Sequence, residues 1–189
     1  RLTDEVIRYI SEPKEKPFFV YLSYYTVHLP LQAKAEKIAK YRRKLSRAVP
    51  ADSSFVKKGE TYHKLVQDIP AYAAMVESLD ENIGRLLDTL HRSGLDERTI
   101  VVFTSDNGGM ATSNTTRNIP TSNLPLRAGK GYLYEGGIKV PAIIRWSGHL
   151  KGRQVSDTSI IGTDYYPTLL DLCGLPLLPG QHVDGVSMK

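Results

Sequence analysis

Residues 104–109 read TSDNGG and close the apolar run TIVVF. Asp106 carries a carboxylate oxygen and Asn107 an amide carbonyl oxygen, hard donors suited to Ca²⁺ or Mg²⁺. Gly108 and Gly109 let the backbone turn away behind them. The same composition makes an ordinary tight turn, and two donors fall short of the roughly 6–8 oxygens that a calcium ion takes. Lys130 stands between Gly129 and Gly131 in LPLRAGKGYLYEGG, where nothing bulky shields its ammonium from an anion. That stretch reads equally as a flexible surface loop. It is no P-loop, because Leu124 and Gly131 occupy the positions of the first glycine and the hydroxyl residue. His28, ending FFVYLSYYTVH, brings an imidazole that is either structural or a proton donor. Together these residues describe a site for a polyoxyanion: cation donors, a bare lysine and a proton donor. Neutralising such an anion is the logic of phosphoryl and sulfuryl transfer. No Ser, Thr or Cys has an adjacent base at a useful spacing for nucleophilic attack.

The elements that must position these groups follow from periodicity. Residues 3–12 read as a helix capped by Thr3, with Val6, Ile7 and Ile10 toward the core. FFVYLSYY is a continuous apolar run, expected to be a strand covered on both faces. Residues 34–48 read as an exposed basic helix and 49–67 as an irregular excursion. In DIPAYAAMVESLDENIGRLLDTLHRSG, apolar residues from Tyr72 to Leu90 recur at helical spacing, with Asp68 as cap and Gly94 as terminator. TIVVFTS and VPAIIRW read as further strands and SIIG as a short fourth. TDYYPTLLDLCG reads as a helix capped by Thr163 and ended by Gly174. Cys173, in LLDLCGLP, reads as a small inert core residue. The order of elements implies an α/β domain with a largely parallel sheet flanked by helices. In such sheets ligands lie beyond the carboxyl ends of the strands, where His28, Asp106 and Asn107 fall.

The 189 residues are 41% hydrophobic and 24% charged, enough for a sizeable core. No apolar run approaches the roughly 20 residues of a membrane-spanning helix. The net charge is +5, concentrated between Lys34 and Lys64, where ten Lys or Arg face three acids. This is a solvated face or a surface for anionic ligands. No zinc-finger spacing, aromatic RNA-binding motif or helix-turn-helix pattern points to nucleic acid.

KPFFVYLSYYTVHLPLQA, AMVESLDENIGRLLDTL, TIVVFTSDNGG, LRAGKGYLYEGGIKVPAIIRWSG and TDYYPTLLDLCGLP…PGQHVDGVS resemble, in order, successive blocks of the type I, formylglycine-dependent sulfatases. The blocks cover most of the chain, apart from the basic stretch near 34–64. The resemblance implies an alkaline-phosphatase-like α/β fold and hydrolysis of sulfate esters, on a sulfated small molecule or glycan, with a bound Ca²⁺. It aligns Asp106 and Asn107 with calcium ligands, Lys130 with the lysine that contacts the substrate sulfate, and His28 with the histidine that hydrogen-bonds the sulfate or the leaving-group oxygen. It further implies export to the periplasm, the cell exterior or a lysosome.

The family's nucleophile is a Cys or Ser in C/S-x-P-x-R, converted to formylglycine. Cys173 heads CGLPL, with neither Pro nor Arg in place, and Asn123 heads NLPLR but cannot become an aldehyde by that route. The acidic pair that completes the calcium site is likewise not found. The resemblance therefore implies that residues 1–189 are the carboxy-side portion of a single sulfatase α/β domain, without turnover alone. Two other readings compete with it. One is a phosphomonoester or phosphodiester hydrolase of the same superfamily. The other is a non-catalytic binder of sulfated polyanions through the 34–64 segment.

Overall fold

The computed structural model describes residues 1–46, 54–117, 119–181 and 184–189. The described chain forms two compact units, Arg1–Leu150 and Lys151–Lys189. The elements run α1 (Leu2–Ser11), α2 (Ala35–Leu45), β1 (Phe55–Lys58), β2 (Thr61–Lys64), α3 (Pro70–Arg92), β3 (Val101–Thr104), β4 (Thr112–Ser113), α4 (Glu135–Ile138), β5 (Ala142–Arg145) and α5 (Tyr165–Leu172).

In the first unit α1 and α2 pack against α3. The apolar stripe of α3 buries Ala74, Met75 and Leu90, and α1 contributes Ile10. Charges lace the rims of these helices. Arg85 donates to Asp4 at 2.6 Å, and Lys40 donates to Glu77 at 2.9 Å. Lys37 pairs with Glu81. Part of the basic segment is thus neutralised by α3, while Arg42, Arg43 and Lys44 carry no ion pair among the described residues. α3 ends as expected at Gly94, whose φ of +66° suits a residue without Cβ.

The mixed α/β composition with flanking helices stands as expected; the strand pairing differs. β1, β2 and β4 form one sheet and β3 and β5 another, and every ladder among the described residues is antiparallel rather than parallel. Parallel neighbours need a crossover of a dozen or more residues, usually a helix. Between β3 and β5 the chain instead makes glycine-rich loops, the two-residue β4 that joins the other sheet, and the four-residue α4.

Several local expectations are corrected. Residues 18–25 form no strand among the described residues; Phe19, Tyr21 and Tyr25 are exposed and the alternate residues half-buried. Period-2 alternation of burial survives, but the segment has no ladder partner among the described residues. The expected irregular stretch contains the β1–β2 hairpin, closed by a two-residue turn with Gly59 first at φ +59°; residues 49–53 lie outside the described residues. Asp68 caps nothing: its carboxylate accepts from Ser54 at 2.6 Å and pairs with the buried Lys64. Thr3 sits inside α1, its hydroxyl against the Tyr24 hydroxyl at 2.9 Å.

In the second unit SIIG is not a strand. α5 is braced by Asp164 rather than Thr163: the buried Asp164 carboxylate accepts the backbone amides of Ile161 at 2.9 Å and Val186 at 3.0 Å. Cys173 is exposed, not a core residue.

Candidate active site

The strand β3 delivers Asp106 and Asn107. Its ladder with β5 runs from Val101↔Arg145 to Thr104↔Ala142, and Arg145 donates to Asp96 at 2.7 Å beyond the far end. On its other side the loop leaves through Ala111, whose carbonyl accepts from the Lys64 amide at 3.0 Å, and enters β4, paired with β2. Residues 105–111 are therefore strung between two sheets and held at both ends.

Glycines draw two further segments onto this loop. Gly108 donates its amide to the Gly137 carbonyl at 2.9 Å, and a Cβ on Gly108 would lie 1.9 Å from the Gly136 oxygen. Gly129 is equally confined, a Cβ there meeting the Gly109 oxygen at 2.4 Å. The Gly109 carbonyl accepts the backbone amide of Lys130 at 3.0 Å. This bond places Lys130 beside the loop that carries Asp106 and Asn107.

Asn123 ties the assembly together. Its Nδ2 donates to Gly109 O at 2.7 Å and to Gly136 O at 2.8 Å, with Ala128 O at 3.3 Å. The segment before it is anchored by Gln67, which donates to Ser122 O at 2.7 Å and accepts from Thr121 at 2.9 Å. In the sequence Asn123 stands out only as the head of an N-x-P-x-R pattern. The available signal was an amide placed among glycine-flanked loops, and it does not tell which carbonyls converge on it.

Asp106 is exposed, and its carboxylate has no hydrogen bond or ion pair among the described residues. Asn107 is half-buried and donates Nδ2 to Gly108 O at 2.9 Å, which leaves its carbonyl oxygen as the free donor atom. The Lys130 ammonium likewise has no ion-pair partner among the described residues. By donor type Asp106 and Asn107 fit a hard divalent cation. By number they do not complete a site: no group of three or more His, Cys, Asp or Glu that could hold a metal occurs among the described residues.

His28 stands apart. It is exposed and lines a groove of about 320 Å³ with Tyr25, Pro30, Gln32 and Met75, and neither Asp106, Asn107 nor Lys130 lines that groove. Its Nδ1 lies 2.8 Å from Leu29 O. A carbonyl can only accept, so Nδ1 carries the hydrogen. Asp106 and Asn107 thus share one loop, to which the Lys130 backbone is bonded through Gly109, while His28 lines a groove that none of the three lines.

A family model described as Sulfatase matches residues 1–175. The chain is 35% identical over 99% of its length to a sulfatase of Formosa agariphila. It is 33% identical over 98% of its length to the steryl-sulfatase of Mus musculus. It spans 32% of the first of these relatives and 26% of the second. Among solved structures, Ps i-CgsB in complex with k-i-k-neocarrahexaose superposes with a TM-score of 0.78 at 31% identity, covering 99% of this chain and 36% of that one. The expected alkaline-phosphatase-like class agrees with these neighbours. No described helix is long and apolar enough to cross a membrane. The chain belongs to the sulfatase family.

Proposed function

We propose that this chain supplies the anion-binding part of a sulfate-ester hydrolase site, in which Asp106 and Asn107 are ligands of a Ca²⁺ ion and Lys130 and His28 contact the substrate sulfate. The observation that carries this reading is the 3.0 Å bond from the Lys130 amide to Gly109 O. It sets an exposed carboxylate and a lysine on adjoining loops in a chain of this family.

The Lys130 ammonium is a compact point charge at the end of a flexible stem. Free of a competing carboxylate, it neutralises a sulfate oxygen and gains most as charge redistributes in the transition state. A cation held by Asp106 and Asn107 would polarise the sulfate further. In this reading His28, whose Nδ1–H is engaged by Leu29 O, has Nε2 left for the substrate. As imidazolium it donates the Nε2 proton to the leaving-group oxygen when the S–O bond breaks. No C/S-x-P-x-R occurs in the 189 residues, so the group that attacks sulfur is not among them. Relatives seen with neocarrahexaose and with D-glucosamine-2-N,6-O-disulfate support a sulfated glycan as substrate class.

In the whole protein, Lys130→Ala lowers turnover of an aryl sulfate by about 10²–10³-fold. Turnover near wild type would remove Lys130 from the site. Faster hydrolysis of the matching aryl phosphate than of the sulfate would move the reading to a phosphoester hydrolase.

A further inference from the structure

We infer that Asn123 is a positioning residue whose side-chain amide fixes the Asp106–Asn107 loop against the Lys130 loop, an inference that rests on the sulfatase reading of these residues. Three carbonyl oxygens converge on one nitrogen: Gly109 O at 2.7 Å, Gly136 O at 2.8 Å and Ala128 O at 3.3 Å. Each comes from a different part of the site. Gly109 closes the loop after Asp106 and Asn107, Ala128 lies two residues before Lys130, and Gly136 lies in α4.

Converging carbonyl dipoles repel unless a donor sits among them, and a primary amide brings two hydrogens to one point. The two short bonds account for both. Gly109 lets the amide come this close: a Cβ there would lie 2.7 Å from the Asn123 Oδ1. The amide is also held from behind, since Gln67 bonds the backbone at Ser122 and the hydroxyl of Thr121. Asn123 touches none of the expected ligand atoms. It acts through Gly109, which in turn carries the Lys130 amide.

Aspartate has the shape of asparagine and no hydrogen to donate at neutral pH. Asn123→Asp therefore sets a carboxylate against three carbonyls at unchanged volume, and the two loops part. A displacement of about 1 Å at a reacting site costs on the order of 10²-fold in rate.

The experiment compares Asn123→Asp, Asn123→Ser and Lys130→Ala with wild type in the whole protein. It measures kcat and KM with 4-nitrophenyl sulfate, inorganic sulfate binding by calorimetry, and Tm. The expected result for Asn123→Asp is a kcat lower by about 100-fold and sulfate binding weaker by about tenfold. Asn123→Ser, which keeps one donor, is intermediate in both. A kcat and sulfate affinity within about threefold of wild type in Asn123→Asp, with Lys130→Ala impaired, would overturn the clamp and leave the sulfatase reading standing. A loss in Asn123→Asp that vanishes on assaying below its lowered Tm would also overturn it, by showing a stability role alone. Wild-type turnover in Lys130→Ala would sink the reading on which the clamp depends, and the clamp with it.

Discussion

Lys130 and Gly109 share a backbone hydrogen bond of 3.0 Å across 20 intervening residues. The bond joins the loop after β3 to the glycine-flanked lysine, and no side chain of either residue takes part in it. Proximity of the charged groups is thus built from main chain, which glycines alone allow to approach so closely.

Gly108→Ala tests that packing. The added methyl would fall 1.9 Å from a backbone oxygen that cannot rotate away. The substitution lowers Tm by several degrees and turnover by about 10²-fold, since the loop must move. Gly84→Ala is the contrast, because a Cβ there meets nothing within 4 Å inside α3. It raises stability by about 0.5–1 kcal/mol. Thermal melts of both variants check the pair, and equal effects would contradict the glycine argument.

Chelation tests the proposed cation. In the whole protein, removal of divalent ions abolishes aryl sulfate turnover and Ca²⁺ restores it. Asp106→Asn keeps the shape but loses the charge, and needs at least tenfold more Ca²⁺ for half-maximal turnover, a weakening of about 1.4 kcal/mol. Full activity of the chelated wild type would exclude Asp106 and Asn107 as ligands of a required metal.

His28→Gln separates proton donation from binding. The loss grows as the leaving group becomes more basic, because a poor leaving group needs the proton most. It reaches about 10²–10⁴-fold for an alkyl sulfate and less for a nitrophenyl sulfate. A loss independent of the leaving group would make His28 a binding residue only.

Acid stability tests the brace of α5. The backbone amides of Ile161 and then Val186 hold the Asp164 carboxyl below its ordinary value of 3.8. A carboxyl depressed by folding stabilises the fold above its unfolded value, and that contribution disappears as pH falls through the folded one. Urea midpoints of the wild type therefore decline on acidification below about pH 4, while those of Asp164→Asn start lower and decline less. Parallel curves would exclude Asp164 as the titrating group.

The helices and β3 were legible because their apolar residues recur with the period of the element, and local order needs only near neighbours. The residue types at the site were legible too: an Asp–Asn pair before two glycines and a lysine between two more keep their chemistry wherever they fold. The strand expected at 18–25 failed for the opposite reason. A strand is completed by its partners, and Phe19, Tyr21 and Tyr25 are exposed on a segment with no ladder partner among the described residues. Pairing direction, the hairpin at 55–64 and the brace at Asp164 are likewise long-range choices. Asn123 shows the limit most plainly. The sequence determined that an amide stands 14 residues after Gly109 and 13 before Gly136. Only the tertiary structure decided that it meets both carbonyls, because hydrogen bonds that close large loops depend on where the whole chain has brought their ends.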